Sequence, residues 1–114
     1  VAVRAPVPVG SLADIVALAA RATTVDEVNR VFTEEADSER YRGVLGVTTD
    51  PLVSSDIIKD PRASVVDLGM TQVGDGDLIK VMSWYDNEWG YSSQLVRAAL
   101  QIARHIEASP RAVS

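Results

Sequence analysis

Residues 83–92 constrain the fold more than any other stretch of the chain. They read Ser83-Trp84-Tyr85-Asp86-Asn87-Glu88-Trp89-Gly90-Tyr91-Ser92 and hold both tryptophans and two of the three tyrosines. The apolar run before them, residues 78–82, predicts a strand, and the run after them, residues 94–108, has helical spacing. The chain must therefore turn from a strand into a helix at this corner, and α/β proteins often place ligands at such strand ends.

The final helix has the most regular pattern in the sequence. Apolar side chains recur at spacings of four, three and four residues, at Leu95, Ala99, Ile102 and Ile106. This is the stripe of an amphipathic helix. We expect the helix over residues 91–108, with Ser92 or Ser93 as its N-cap. Ser109 and Pro110 should end it, and residues 111–114 should form a frayed tail.

A second helix is expected over residues 24–36. Thr24 has the character of an N-cap, and Glu27 three residues later completes the pattern of a capping box. The apolar stripe of this helix consists of Val25, Val28, Val31 and Phe32. The acidic run at its end, Glu34, Glu35, Asp37 and Glu39, is typical of a solvated face.

The remaining segments are expected to supply a sheet. Strand-like runs lie at residues 1–8, 44–47, 52–58, 63–73 and 78–84. Gly74-Asp75-Gly76-Asp77 reads as a hairpin turn rather than a calcium loop, because it lacks the closing Glu. Residues 11–21 fit a helical stripe and a doubly buried strand equally well. The order of elements predicts an α+β fold with a mostly antiparallel or mixed sheet and two helices.

Composition excludes several classes of function. The 114 residues amount to one domain, and no apolar run approaches the ~20 residues that span a bilayer, so we expect a soluble chain with no membrane partner. The net charge of −5 argues against a nucleic-acid surface. The absence of cysteine rules out disulfides, thiolate metal sites and a cysteine nucleophile within this sequence. The start on Val1, which reads as mid-strand, suggests a processed product or a piece of a longer protein.

Few residues suggest chemistry by themselves. Ser54-Ser55-Asp56 lacks the Gly-x-Ser-x-Gly turn of a serine nucleophile, and the single histidine, His105, reads as a surface residue near a helix end. Asp86 and Glu88 could form an acid/base pair whose pKa values are shifted by neighbouring tryptophans. The same carboxylates could cap the next helix, which is the interpretation we favour.

Arg4 is the other candidate for a functional role. It stands alone in a predicted apolar strand, where an arginine needs an anion. That anion could be a carboxylate of the same protein or a ligand phosphate held by two parallel hydrogen bonds. The residues alone favour a structural ion pair.

Residues 83–92 resemble the signature near the C-terminus of glyceraldehyde-3-phosphate dehydrogenase. Five further landmarks stand in the same order, namely Arg4-Ala5-Pro6-Val7-Pro8, Thr24-Val25-Asp26-Glu27-Val28-Asn29, Gly43-Val44-Leu45-Gly46-Val47, Pro51-Leu52-Val53-Ser54-Ser55-Asp56 and Ser64-Val65-Val66-Asp67. The resemblance covers roughly residues 1–107 and only the C-terminal third of the family's enzyme. It departs at Val7, where the family usually has Thr, and over residues 10–14, which lie next to Arg4.

The resemblance implies a function and a set of site residues. The family oxidises glyceraldehyde 3-phosphate to 1,3-bisphosphoglycerate with NAD or NADP and phosphate, through a cysteine thiolate. By resemblance, Arg4 binds a phosphate, Asn87 holds the nicotinamide carboxamide and Tyr91 lines the nicotinamide pocket. Glu88 would have a structural or pocket-supporting role. The resemblance also favours a strand for residues 11–21.

The resemblance further implies how the chain is divided. Residues 1–90 would be part of a catalytic domain, residues 91–109 a helix that packs on a nucleotide-binding domain, and residues 110–114 a tail. The family's cysteine and its histidine base would lie upstream. We therefore expect this chain alone to be inactive, to bind no NAD usefully and to self-associate, whereas the whole enzyme would be a cytoplasmic homotetramer acting on a small molecule.

Two other functions stay open. Erythrose-4-phosphate dehydrogenase shares the fold and the Asp-Asn-Glu-Trp-Gly core, although Tyr85 and Tyr91 favour the triose enzyme. A non-catalytic module for assembly or binding is the other, because an orphaned sheet would leave apolar surface exposed.

Overall fold

The computed structural model describes residues 2–109 of the chain. Its strands are β1 (Ser11–Leu18), β2 (Leu45–Thr48), β3 (Ser64–Asp67), β4 (Gln72–Gly74) and β5 (Leu78–Tyr85). Its α-helices are α1 (Val25–Ala36) and α2 (Asn87–Ala108), and short 3-10 turns occupy Ser54–Ile57 and Leu68–Met70. The predicted α+β class with two helices is confirmed. Val1 and the predicted tail at residues 110–114 lie outside the described residues.

The sheet is mixed and is organised around β5. β1 runs antiparallel to β5 along its whole length, from Ser11 opposite Tyr85 to Leu18 opposite Leu78. On the other side of β5, β3 and β4 follow one another, both antiparallel to it. β2 is parallel to β3, so the strand order is β1-β5-β3-β2. Within residues 2–109, the outer edge of β1 therefore has no strand beside it.

The core lies between α1 and one face of the sheet. Val28 of α1 packs with Val66 of β3 and Val81 of β5, all three buried. Partly buried neighbours complete this cluster, namely Phe32, Leu45, Val47, Leu68, Val73 and Ile79. The stripe predicted for this helix is thus confirmed at Val28 and Phe32, because its i, i+4 spacing places both side chains on the sheet-facing side.

Thr24 caps α1, but the predicted capping box is only half formed. The Glu27 N–H donates to Thr24 Oγ1 at 3.1 Å. The Glu27 carboxylate accepts instead from the Thr23 hydroxyl at 2.8 Å and from the Arg21 guanidinium. These two donors lower the pKa of Glu27 to about 2, with Arg21 the larger cause. The prediction that the Glu27 carboxylate would accept from the Thr24 N–H was wrong, because the charged guanidinium of Arg21 is a stronger donor than a backbone N–H.

The predicted turn between β4 and β5 is confirmed as a hairpin. Asp75 and Gly76 have φ values of 51° and 83°, which is the left-handed region that tight hairpin turns require. The Gly76 carbonyl accepts from the Thr23 N–H at 2.7 Å. The turn therefore also fixes the segment that leads into α1.

Three predicted strands are wrong in whole or in part. Residues 2–8 form no strand, because Pro6 and Pro8 have no N–H to give to a ladder. Residues 54–57 form a 3-10 turn rather than an extended piece, since Asp56 Oδ2 accepts from the Val53 N–H at 2.8 Å. The strand predicted over residues 63–73 is interrupted at Leu68–Met70.

Residues 11–18 form β1, as the family resemblance indicated and helix propensity did not. α2 begins at Asn87, four residues before the predicted start at residue 91, and continues to Ala108. It leaves the sheet after its first turns, and every residue from 95 to 109 is exposed. The radius of gyration is 17.5 Å, against about 13 Å for a compact chain of this length.

Three side-chain bonds from the first half of α2 attach it to the body of the protein. Gln94 Nε2 donates to the carbonyls of Gly43 and Pro61, and Arg97 donates to the carbonyl of Arg42. The remaining length of α2 projects away from these contacts. Neither described helix has the combination of length and apolar character that crossing a membrane requires.

Candidate functional site

The corner between β5 and α2 is fixed by the carboxylate of Asp86. This residue is 3% exposed. Its Oδ1 accepts from the Trp89 N–H at 3.0 Å and its Oδ2 accepts from the Lys59 N–H at 2.8 Å. These backbone donors, Trp89 first, lower the pKa of Asp86 against the opposing effect of burial.

Asp86 is therefore the N-cap of α2, and the prediction of Ser92 or Ser93 as the cap was wrong. The capping interpretation of Asp86 is confirmed over the acid/base pair. Glu88 lies in the first helical turn and is exposed. Because the extended segment ends before residue 87, Asp86 and Glu88 do not share the alternating geometry on which a carboxylate pair depended.

The loop at residues 59–62 packs closely against the first turn of α2. Lys59 has φ 62°, a left-handed conformation that presents its N–H to Asp86, and its ammonium lies 5.7 Å from the centre of the Trp89 ring. A Cβ at Gly90 would lie 2.9 Å from the Arg62 carbonyl oxygen, so this contact requires glycine. The start of α2 is consequently fixed in position even though its far end projects.

Arg62 and Asp60 reinforce this loop by forming an ion pair. Arg62 donates from Nε and Nη2 to the two Asp60 oxygens at 3.0 and 2.7 Å. The Arg62 guanidinium lowers the pKa of Asp60, since the charged carboxylate accepts both bonds. The pair is structural, because both groups satisfy one another.

An open groove of about 1200 Å³ lies beside the corner. It is bordered by the N-terminal segment, the beginning of β1, residues 52–54 and the β5–α2 junction. Arg4 and Asn87, two of the three predicted site residues, both line it, and so does Glu88. Tyr91 does not line it and is 71% exposed on the surface of α2. The structure thus brings two of the three residues to one groove.

Arg4 lies in an irregular, exposed segment rather than in the strand predicted for it. Among residues 2–109, no carboxylate forms an ion pair with Arg4. The structural ion pair that the residues alone favoured is therefore not found there. Arg4 lines the open groove, and its guanidinium, which can donate five hydrogen bonds, forms no ion pair with the residues that the structure describes.

The amide of Asn87 is held by a residue that sequence reasoning did not single out. Ser11 Oγ donates to Asn87 Oδ1 at 2.5 Å, across 76 residues of sequence. Ser11 is the first residue of β1 and lies opposite Tyr85 in the ladder. Only the long-range pairing of β1 with β5 brings the two side chains together, so no local pattern could have revealed the contact.

Trp84 occupies the sheet face opposite α1 and also lines the groove. Its Nε1 donates to Asp67 Oδ2 at 3.2 Å, and Asp67 is buried. On the same face Lys80 Nζ lies 2.9 Å from Asp14 Oδ2. The bond to Asp67 holds the indole as one wall of the groove.

Two other sequence candidates, His105 and the acidic run at the end of α1, lie outside the groove. His105 is exposed in the last turn of α2, as predicted, and the acidic run after α1 is solvated, also as predicted. In the part of the chain that the structure describes, no group of three or more His, Cys, Asp or Glu residues could hold a metal ion.

Comparison with known proteins identifies the family. The family described as "Glyceraldehyde 3-phosphate dehydrogenase, C-terminal domain" matches residues 1–87. The chain belongs to this family. The match includes Arg4, Ser11 and Asn87, and it ends at the first residue of α2.

Individual glyceraldehyde-3-phosphate dehydrogenases are similar over most of the chain. Glyceraldehyde-3-phosphate dehydrogenase 2 of Streptomyces avermitilis is 48% identical over 84% of this chain and 28% of its own length. The enzymes so named from Zymomonas mobilis and Mycobacterium leprae are 44% and 46% identical over 91% and 83% of this chain. The chain spans 27 to 31% of the length of these relatives.

Proposed function

We propose that this chain forms the substrate- and nicotinamide-facing side of a phosphorylating glyceraldehyde-3-phosphate dehydrogenase. The reaction is the NAD- or NADP-dependent oxidation of glyceraldehyde 3-phosphate to 1,3-bisphosphoglycerate in glycolysis. The observation that carries the proposal is the family match over residues 1–87 together with one groove that holds both Arg4 and Asn87.

Arg4 is proposed to bind a phosphate beside the reacting carbon. Its guanidinium is always charged and offers a planar fork of donors that matches phosphate oxygens. In support, Arg4 lines the groove and forms no ion pair within residues 2–109. A phosphate that binds Arg4 therefore does not have to displace a carboxylate of residues 2–109 from it.

Asn87 and Tyr91 are proposed to face the nicotinamide. They are four residues apart on α2 and so lie on one side of its first turn. Asn87 would hold the carboxamide with its side-chain amide, and Tyr91 would line the outer side of the ring. The 71% exposure of the Tyr91 side chain leaves it accessible for such a contact.

The rest of the chemistry requires groups outside this sequence. The bound dinucleotide would accept a hydride, and a thiolate with its base would attack the aldehyde. The sequence contains no cysteine, and its one histidine is at residue 105, far along α2 from the groove. We therefore propose that the 114-residue chain alone neither reduces NAD(P) nor binds it usefully.

α2 is proposed to pack on a nucleotide-binding domain in the whole enzyme, which would be a cytoplasmic homotetramer. The support is the exposed apolar side of this helix, which includes Leu95, Ile102 and Ile106. In the isolated chain the same surface is proposed to drive self-association.

A chimera tests the proposal. This chain replaces the matching C-terminal segment of the Streptomyces avermitilis relative, and the purified chimera is assayed for NAD(P)H formation that depends on aldehyde and phosphate. We expect activity with glyceraldehyde 3-phosphate to exceed activity with erythrose 4-phosphate. A folded chimera without activity, or one that prefers erythrose 4-phosphate, would contradict the proposal.

A matched pair of arginine variants then tests the phosphate site. Arg4→Ala should lower kcat/KM for glyceraldehyde 3-phosphate by at least about tenfold, because a charge-assisted bidentate contact is lost. Arg30→Ala is the control, since Arg30 lies on α1 and its ion pair with Glu34, at 3.8 Å, is exposed. Equal effects of the two changes would count against a role for Arg4.

A further inference from the structure

The hydrogen bond from Ser11 to Asn87 joins two of the segments that border the groove. Both residues line it, and the Ser11 hydroxyl donates to Asn87 Oδ1 at 2.5 Å. We propose that Ser11 is a positioning residue that fixes the side-chain amide of Asn87, so that its Nδ2 group faces the groove as a hydrogen-bond donor. This inference rests on the proposed role of Asn87 in holding the nicotinamide carboxamide.

The position of Ser11 is determined by buried contacts on the residue before it. Gly10 has φ +100°, and a Cβ there would lie 3.1 Å from the Ser54 carbonyl oxygen and 3.2 Å from Ile57 Cδ1. Ile57 is one of the most deeply buried side chains in the protein. Ser11 then enters the ladder opposite Tyr85. The backbone that presents the hydroxyl is therefore closely packed against residues 54–57 and set in register with β5.

The position of Asn87 is determined by the residue before it as well. Asp86 anchors both the first turn of α2 and the Lys59 N–H, so the backbone at residue 87 is held from two sides. The freedom left to Asn87 is in its side chain, where the terminal torsion is broad and roughly two-fold. One orientation places the oxygen toward Ser11 and the other places the nitrogen there. The structure has the first, with the Ser11 hydroxyl donating to Oδ1.

The selected orientation determines which ligand group Asn87 recognises. With Oδ1 bonded to Ser11, and no protein partner for Nδ2 among residues 2–109, the group left to the groove is a donor. It fits the carbonyl oxygen of a carboxamide rather than its amino group. A dinucleotide with an acetyl in place of the carboxamide keeps that oxygen and should keep this bond. One with an unsubstituted pyridinium ring should lose it.

Nuclear magnetic resonance of the labelled 114-residue chain tests the positioning directly, without any cofactor. We expect Ser11→Ala to move the two Asn87 side-chain amide signals, and Ser11→Thr, which keeps the hydroxyl, to restore them. Ser55→Ala is the matched control, because Ser55 is exposed and does not line the groove. Asn87 amide signals that are the same in wild type and in Ser11→Ala would overturn the inference.

Kinetics of the chimera test the functional consequence. Ser11→Ala should raise KM for NAD by up to about tenfold, the usual worth of one hydrogen bond, and leave KM for glyceraldehyde 3-phosphate unchanged. Ser11→Thr should restore it, and Ser11→Ala should add nothing to Asn87→Ala. Equal rises in both KM values, or additive effects in the double variant, would overturn the inference.

The two experiments separate this inference from the proposed function. A chimera without activity contradicts the proposed function, while the Asn87 amide signals still decide whether Ser11 orients that side chain. An active chimera whose KM for NAD does not change with Ser11→Ala contradicts the positioning role and leaves the proposed function standing.

Discussion

The two helices have the same kind of apolar stripe, but the stripe is packed in α1 and exposed in α2. Each is amphipathic and each begins at a side-chain N-cap. α1 lays its stripe on the sheet, where Val28 is 8% exposed, whereas Ile102 on α2 is 62% exposed. A helical stripe therefore indicates that a helix has a partner surface, but not that the partner lies in the same segment of chain.

The two helices also differ in how they are held. α1 is held along its length by the core, and its cap, Thr24, is exposed. Within residues 2–109, α2 is held only over its first half, where Asp86 is buried and bonded to two backbone N–H groups and where Gln94 and Arg97 donate to backbone carbonyls. Packing along a face and anchoring at an end predict different responses to mutation.

The largest effect on the free energy of unfolding should appear when the same valine-to-alanine change is made separately in the core and on α2. Val66→Ala removes two methyl groups from the core under α1 and should lower the free energy of unfolding by about 2 kcal/mol. Val96→Ala is the same change on α2, where the side chain is 59% exposed, and should stay within about 0.5 kcal/mol. Urea unfolding of both variants measures this. Equal costs would mean that α2 is packed in solution and would break the comparison.

The next effect concerns the exposed side of α2. If this surface drives self-association, Ile102→Lys should weaken the association constant by about tenfold, since a buried isoleucine contributes roughly 1.5–3 kcal/mol. Gln101→Lys adds the same charge on a neighbouring position and should change it by less than about twofold. Sedimentation velocity over a range of concentrations gives both values. A chain that stays monomeric throughout would show that the exposed stripe does not attract itself.

A smaller effect is expected at the cap of α2. Asp86→Ala should cost about 1 kcal/mol at neutral pH, because a buried N-cap is lost, and Asp86→Asn should cost less because asparagine also caps. The pKa of Asp86 is lowered on folding, so its charge stabilises the fold above the unfolded pKa near 4 and ceases to do so as pH falls through the folded value.

The Asp86→Asn variant should accordingly lose part of the acid destabilisation that the wild type shows. Circular dichroism of helix content against pH measures it, with Asp26→Asn, an exposed first-turn residue of α1, as the control. An unchanged acid profile in Asp86→Asn would show that α2 does not depend on this carboxylate.

The smallest effect should come from Glu27 at the exposed end of α1. Its pKa falls from 4.5 to about 2 on folding, so its contribution is complete above pH 4.5 and is lost as pH falls toward 2. Glu27→Gln should flatten the stability profile in that window only slightly, because the Arg21 pair is solvent-screened. Added salt should shrink the difference further. A profile that is steep and insensitive to salt would contradict this.

Regular local patterns were sufficient for much of the fold. α1, β5 and the hairpin at residues 74–77 were predicted because their periodicity or turn chemistry is contained within a few neighbouring residues. Residues 54–57 were mispredicted because Asp56 bonds a nearby backbone N–H, which an apolar pattern does not record. β1 could not be decided from the residues alone, since apolar side chains occur on both of its faces.

Site residues could be predicted from the sequence only where they belong to a motif of the family. Arg4 and Asn87 came from the resemblance, and their common groove required the tertiary structure. The early start of α2 was missed because its apolar stripe begins at Leu95, whereas Asp86 sets the first turn. Ser11 could not have been found from the sequence, because its partner lies 76 residues away.

The outer edge of β1 has a consequence for hydrogen exchange. In an antiparallel pair, alternate residues direct their N–H groups toward the neighbouring strand and the others direct theirs away. Because β1 pairs only with β5 in residues 2–109, every second amide of Ser11–Leu18 faces β5 and the others have no strand beside them. Deuterium should therefore enter this strand in a period-two pattern. A strand that pairs with the outer edge of β1 would protect every amide of β1 from exchange. Exchange at these amides therefore measures whether another strand has joined the sheet.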